Sequence, residues 1–176
     1  MRKDTSERGN KISVAKIKKD LSPRHIFSED FVLTPMMNLQ MLEGKKHTFD
    51  GLAVGVICNG TAKVTIDGKH FEMRRNTLLL LRDSSVAEGF KCSKACMGYF
   101  IAYPTSFINA ANISMADLLT IKIMFGNSPC LQVTDDEIAR LHSIVTTLSC
   151  ANSVAPNAYD KKVQISLFES FFYMLA

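Results

Sequence analysis

The chain has 176 residues, of which 47 % are apolar and 22 % charged, and a formal net charge of +4. These values fit one globular domain that buries its own core without disulfide or metal staples. No apolar run approaches the roughly 18–20 residues that cross a bilayer, and Met1-Arg2-Lys3-Asp4 opens without the apolar stretch of a secretory leader, so a cytoplasmic protein is expected. The charge is uneven. Seven basic side chains against three acidic ones in residues 1–20 account for the whole +4, and the remainder is balanced, 14 to 14. Because duplex DNA binding rests largely on neutralising phosphates, the body of this chain is a poor DNA binder by itself.

Three regions follow in chain order. Residues 1–30 are polar and basic, hold one short helix candidate at 12–19, and read as a solvated arm. Residues 31–104 read as strands. Residues 38–43 alternate, and 52–58 form an apolar run closed by the turn signal Asn59-Gly60. Residues 61–66 then place Ala62, Val64 and Ile66 on one face and Thr61, Lys63 and Thr65 on the other. Asp67-Gly68 supplies the positive φ of a tight hairpin turn, and 69–73 alternate again with Phe71 and Met73 on one side. Residues 76–82 carry Leu78-Leu79-Leu80-Leu81, and 95–103 form another strand with Tyr99, Phe100 and Ile101. Short strands at this spacing suggest a barrel or sandwich.

After Pro104 the period changes. Residues 105–112 form a short helix candidate. Thr134 with Glu137 three positions on is a capping box, opening a helix whose apolar positions are Ile138, Leu141, Ile144, Val145 and Leu148. Residues 151–155 and Pro156 break it. A last helix carries Val163, Leu167, Phe168, Phe171, Phe172 and Leu175, and the short link implies an antiparallel hairpin. That helix lacks a stop signal, which implies a chain that continues.

Catalytic constellations are missing from this pattern. No two of His25, His47, His70 and His142 lie within four residues, and neither a phosphate loop nor a nucleophile elbow is present. The five cysteines are scattered, as unpaired thiols of a reducing compartment would be; Cys92 and Cys96 alone are spaced as a redox pair.

The strand region resembles a cupin, and the whole arrangement resembles the N-terminal sensing domain of AraC/XylS-family transcription regulators. The residues that carry the resemblance are the strand and hairpin Val64-Thr65-Ile66-Asp67-Gly68-Lys69-His70-Phe71 and the following Glu72-Met73-Arg74-Arg75-Asn76-Thr77 with its leucine run. Cys58-Asn59-Gly60 stands where the family often has Leu-Ser-Gly, and Tyr103-Pro104-Thr105-Ser106-Phe107 resembles the strand exit and first helix. Arg75-Asn76 stands where a Gly-Asp pair is common. The His-x-His and late His of metal-binding cupins are replaced by residues 52–56 and by Val86-Ala87-Glu88.

The resemblance implies a mainly β fold, a cupin-like barrel followed by a helical hairpin, that binds a small-molecule effector and forms a homodimer. It implies no metal, no cofactor and no membrane contact, and DNA contact only through a helix-turn-helix part absent from these residues. Inward-facing strand residues are the expected effector pocket: Val54, Val56, Val64, Ile66, Phe71, Leu79, Tyr99 and Ile101. The expected dimer face is Leu141, Ile144, Leu148, Leu167, Phe168 and Phe171. The alternatives are a metal-dependent cupin enzyme built on His47, His70 and Glu72, which alternation partly supports, and a stand-alone interaction module.

Overall fold

The computed structural model describes residues 10–20, 31–42, 46–111, 113–125, 128–151 and 159–175. The chain runs through β1 (Asn10–Ser13), α1 (Val14–Asp20), β2 (Val32–Pro35), a 3-10 helix (Met36–Leu42), β3 (Lys46–Asp50), β4 (Leu52–Asn59), β5 (Ala62–Ile66), β6 (Lys69–Met73), β7 (Thr77–Leu81), β8 (Val86–Cys92) and β9 (Met97–Tyr103). It continues with α2 (Thr105–Ala110), α3 (Met115–Phe125), β10 (Cys130–Gln132), α4 (Asp135–Ala151) and α5 (Asp160–Leu175). No helix among the described residues is long and apolar enough to cross a membrane.

The strands form two five-stranded sheets, ordered β1-β3-β8-β5-β6 and β10-β7-β4-β9-β2. Every pairing is antiparallel except β1 with β3. The β5–β6 hairpin forms on the expected register, Ile66 opposite Lys69, with Asp67 at φ 49° and Gly68 at φ 79°, as a two-residue turn requires. The Asp67 amide donates to the Val86 carbonyl at 2.8 Å and its carboxylate accepts from the Val86 amide at 2.9 Å, tying this turn to the start of β8.

Two apolar cores lie on opposite faces of the second sheet. Ala53, Ile57, Leu79, Leu81, Phe100 and Ala102 pack inward against Phe49, Val64, Ile66, Met73 and Phe90 of the first sheet, with Met36 and Leu39 filling the end. Val54, Val56, Leu78, Leu80, Tyr99 and Ile101 point the other way, onto Phe107, Ile121, Phe125 and the inner faces of α4 and α5. The result is three layers, sheet on sheet on helices. A strand covered on both faces reads as an unbroken apolar run, which is why Leu78-Leu79-Leu80-Leu81 shows no alternation.

Several expectations are corrected. Residues 38–43 do not make a strand; Met36–Leu42 is a 3-10 helix that buries Met36 and Leu39, three residues apart as a three-residue turn demands. The arm is not wholly solvated: β1 adds to the first sheet beside β3, and α1 buries Val14 and Ile17. The rest of the arm, His25 and the 152–158 link lie outside the described residues. The short helix after Pro104 ends at Ala110, and α3 follows where the sequence has no amphipathic period. The capping box forms in full. The Glu137 amide donates to Thr134 Oγ1 at 3.2 Å, and the Glu137 carboxylate accepts from the Thr134 amide at 2.7 Å.

Candidate functional site

The expected pocket residues divide between the two cores. Val64, Ile66 and Leu79 do face into the barrel. Val54 pairs with Ile101 and Val56 with Tyr99 across β4–β9, and all four face the helical layer. Their inward placement is corrected: both faces of these strands are apolar, so period-two reasoning fixes the pairs and not the side they take. Phe71 is half-buried at the barrel rim. Around Val64 and Leu79 the interior leaves only about 40 Å³ free, beside Ile17, Leu39, His47, Phe49 and Phe100. That is far below the roughly 300–1,000 Å³ of small-molecule sites.

The expected dimer face is corrected in the same way. Leu141, Ile144, Leu148, Phe168 and Phe171 are buried against the second sheet, and Leu167 packs partly against the same core. These positions are taken up inside the chain. The helical apolar stripe was legible in the sequence; whether it meets a sheet or a second copy was not.

Larger spaces open where the barrel meets the helices. One cleft of about 270 Å³ is bounded by the β5–β6 hairpin (Ile66, Asp67, Lys69, Phe71), by β7 and the turn after it (Leu80, Arg82, Ser85), and by α3 with its exit (Lys122, Phe125, Ser128, Pro129). A neighbouring cleft of about 250 Å³ shares Leu80, Arg82 and Lys122 and continues to Leu52, Ile108, Leu118 and Phe172. Each is close to the lower end of the range of small-molecule sites, roughly 300 Å³. The walls are held by hydrogen bonds. The Leu80 amide donates to the Pro129 carbonyl at 2.8 Å, and the Arg82 amide donates to Ser85 Oγ at 3.2 Å. Sequence reasoning missed Lys122 and Phe125, because the apolar residues of α3 follow no single stripe from which to place them, and Arg82, because it lies in the turn after β7 with no motif to mark it.

The residues of the enzyme alternative do not converge. His47 is buried, lining the small space inside the barrel. His70 and Glu72 are exposed on β6, where His70 Nδ1 shares a 2.7 Å hydrogen bond with Thr65 Oγ1 and Glu72 faces Lys63 at 3.7 Å. Among the described residues, no group of three or more His, Cys, Asp or Glu is arranged to hold a metal ion.

Two other features lie away from these clefts. Cys92 and Cys96 are brought into hydrogen-bonding contact, and burial, with that contact adding to it, pushes the Cys92 thiol up to about 12. Burial also raises Cys58, with Cys96 nearby. Tyr99 and Tyr103 carry buried hydroxyls with no hydrogen-bond partner among the described residues, and burial raises both phenols above their ordinary range. Tyr99 edges a shallow groove of about 290 Å³ between β2 and α4, beside His142 and Cys150.

No family model and no curated protein matches this chain. Solved structures do. ToxT from Vibrio cholerae aligns with a TM-score of 0.45 at 14 % identity, over 84 % of this chain and 56 % of that one. The AraC-like transcriptional activator CuxR aligns at 0.47 and 12 %, over 83 % of this chain and 47 % of that one. A cupin protein from Bacteroides fragilis aligns at 0.32 and 16 %, over 43 % and 64 %. This chain thus spans about half the length of the two regulators. Its structural neighbours include ToxT, an AraC-like transcriptional activator and a cupin protein.

Proposed function

We propose that this chain is the regulatory part of an AraC/XylS-type transcription regulator. It takes a small-molecule effector, pairs with a second copy in the cytoplasm, and catalyses no reaction. DNA is contacted by a separate helix-turn-helix part, in keeping with the balanced charge beyond residue 20. The observation that carries this reading is the cleft at Arg82 and Lys122, which is lined from the barrel on one side and from α3 on the other. A ligand shifts an equilibrium only when it binds one arrangement better than another, and a molecule seated between two layers is sensitive to how they sit.

Pairing has a surface to use. Met115, Leu119 and Ile123 recur every fourth residue along α3 and are 80 %, 53 % and 69 % exposed, while Ile121 and Phe125 on the opposite side are buried. A helix apolar on both faces is one that is covered on both, and a second copy of this chain is the cover proposed. Sedimentation velocity on the purified chain tests it. A particle of two chains that becomes one chain in the L119E/I123E variant is expected; a single-chain particle at every concentration would remove the dimer from the reading.

A further inference from the structure

The cleft between barrel and α3 has a chemical bias that points to its ligand. Lys69 from β6, Arg82 from the end of β7 and Lys122 from α3 all line it, against the single acidic side chain of Asp67. Asp67 already accepts the Val86 amide. Among the described residues, none of the three cations is held in an ion pair. Taken whole, with this cleft included, the chain beyond residue 20 is electrically balanced, so an excess of two positive charges in one cleft is a local concentration. All three cations are exposed side chains on the wall of one cleft, and a cleft lined by one sign of charge favours a ligand of the other. The base of the same cleft is apolar: Ile66, Leu80 and Phe125 are buried there, and Phe71 is half-buried.

We propose that this cleft binds a small organic anion, with its acidic group among Lys69, Arg82 and Lys122 and its apolar body on Leu80, Phe71 and Phe125. The proposal rests on the effector-sensing reading of the same site and names the ligand's chemical class. Arg82 presents the planar fork that meets a carboxylate or phosphate through two hydrogen bonds, and the two lysines add point charges from either side. Because Lys122 and Phe125 belong to the helical layer while Lys69, Phe71 and Arg82 belong to the barrel, the bound anion ties the two together.

The test uses a matched pair of probes, 4-phenylbutyrate and its neutral counterpart 4-phenylbutan-1-ol, together with inorganic phosphate, each titrated calorimetrically into the full chain. The carboxylate is expected to bind at least about tenfold tighter than the alcohol. That preference should shrink in the R82Q/K122Q variant and at high salt, and be kept in K94Q, which removes an exposed lysine elsewhere. Phosphate is expected to bind more weakly than phenylbutyrate. An alcohol that binds as well as the carboxylate, a preference that survives R82Q/K122Q in a protein with unchanged melting temperature, or phosphate that binds as tightly as phenylbutyrate overturns the proposal. Binding by none of the three probes also overturns it, and leaves the regulator reading to be decided by dimerisation and reporter output.

Discussion

Thr134 and Glu137 hold each other at the start of α4, the Thr134 hydroxyl accepting the Glu137 amide at 3.2 Å and the Glu137 carboxylate accepting the Thr134 amide at 2.7 Å. Next to them the Asp135 carboxylate accepts hydrogen bonds from Arg75 at 2.8 Å and Asn76 at 2.7 Å, so the cap is fastened to the turn between β6 and β7. T134A is expected to cost about 1 kcal/mol, the usual loss for removing such a cap, read as a fall in melting temperature; an unchanged midpoint would show that the cap contributes nothing. The Glu137 carboxyl is held below its ordinary value by the Thr134 amide and then by the Thr134 hydroxyl. A depressed acid contributes stability above its unfolded pKa of about 4.3, and that contribution is lost as pH falls through the folded value. The part of the T134A deficit that comes from the Thr134 hydroxyl on the Glu137 carboxylate should therefore shrink under acid, while the part from the Glu137 amide on that hydroxyl persists. The cap is exposed, so the effect is small and salt-weakened.

Tyr103 offers a test with the opposite sign. Its ring is enclosed by Phe31, Phe107 and Phe168, and its buried hydroxyl has no partner among the described residues. A desolvated hydroxyl without a hydrogen bond costs about 1–3 kcal/mol. Y103F should leave the chain as stable as wild type or more so in chemical denaturation. A clear loss of stability would reveal a bond that the hydroxyl makes.

Leu148 separates core from interface. It is fully buried against the second sheet, so L148A should destabilise each chain by about 2–5 kcal/mol. Under folding conditions it should leave association unchanged, whereas L119E/I123E should do the reverse. Association lost in L148A while the melting temperature holds would put α4 in the interface after all.

The thiols should react in an order set by burial. Cys150 is exposed and Cys96 is buried, and Cys92, raised to about 12, is almost wholly protonated near neutral pH. Iodoacetamide followed by mass spectrometry should mark Cys150 first, with Cys92 and Cys96 modified only on unfolding. Early labelling of Cys92 would contradict this placement of the pair.

How much of this could be read from residues alone depended on whether a segment has one apolar face or two. Thr61, Lys63 and Thr65 contrast with Ala62, Val64 and Ile66, so β5, its hairpin turn and its register were legible. The pairing of Thr134 with Glu137 marked the start of α4 for the same reason: a local rule with one answer. β4, β7 and β9 separate two cores, so nothing in their composition says that Leu79 looks into the barrel and Leu80 toward the helices. α3 hid because its apolar residues are spread over both its buried and its exposed sides, and with it went Lys122, one side of the cleft. β8 hid for the opposite reason: of its seven residues only Phe90 is buried, too little to mark a strand. The candidate site was therefore the least legible part, since it lies between a strand whose facing was ambiguous and a helix that was not foreseen.

Whether the chain senses an effector and pairs is read by fusing it to a DNA-binding domain that represses a reporter only as a dimer. Repression by the fusion is expected, with relief of repression in L119E/I123E and a change in repression with an organic acid that is lost in R82Q/K122Q. A folded fusion that never represses, in the presence or absence of added acids, would show that the chain does neither.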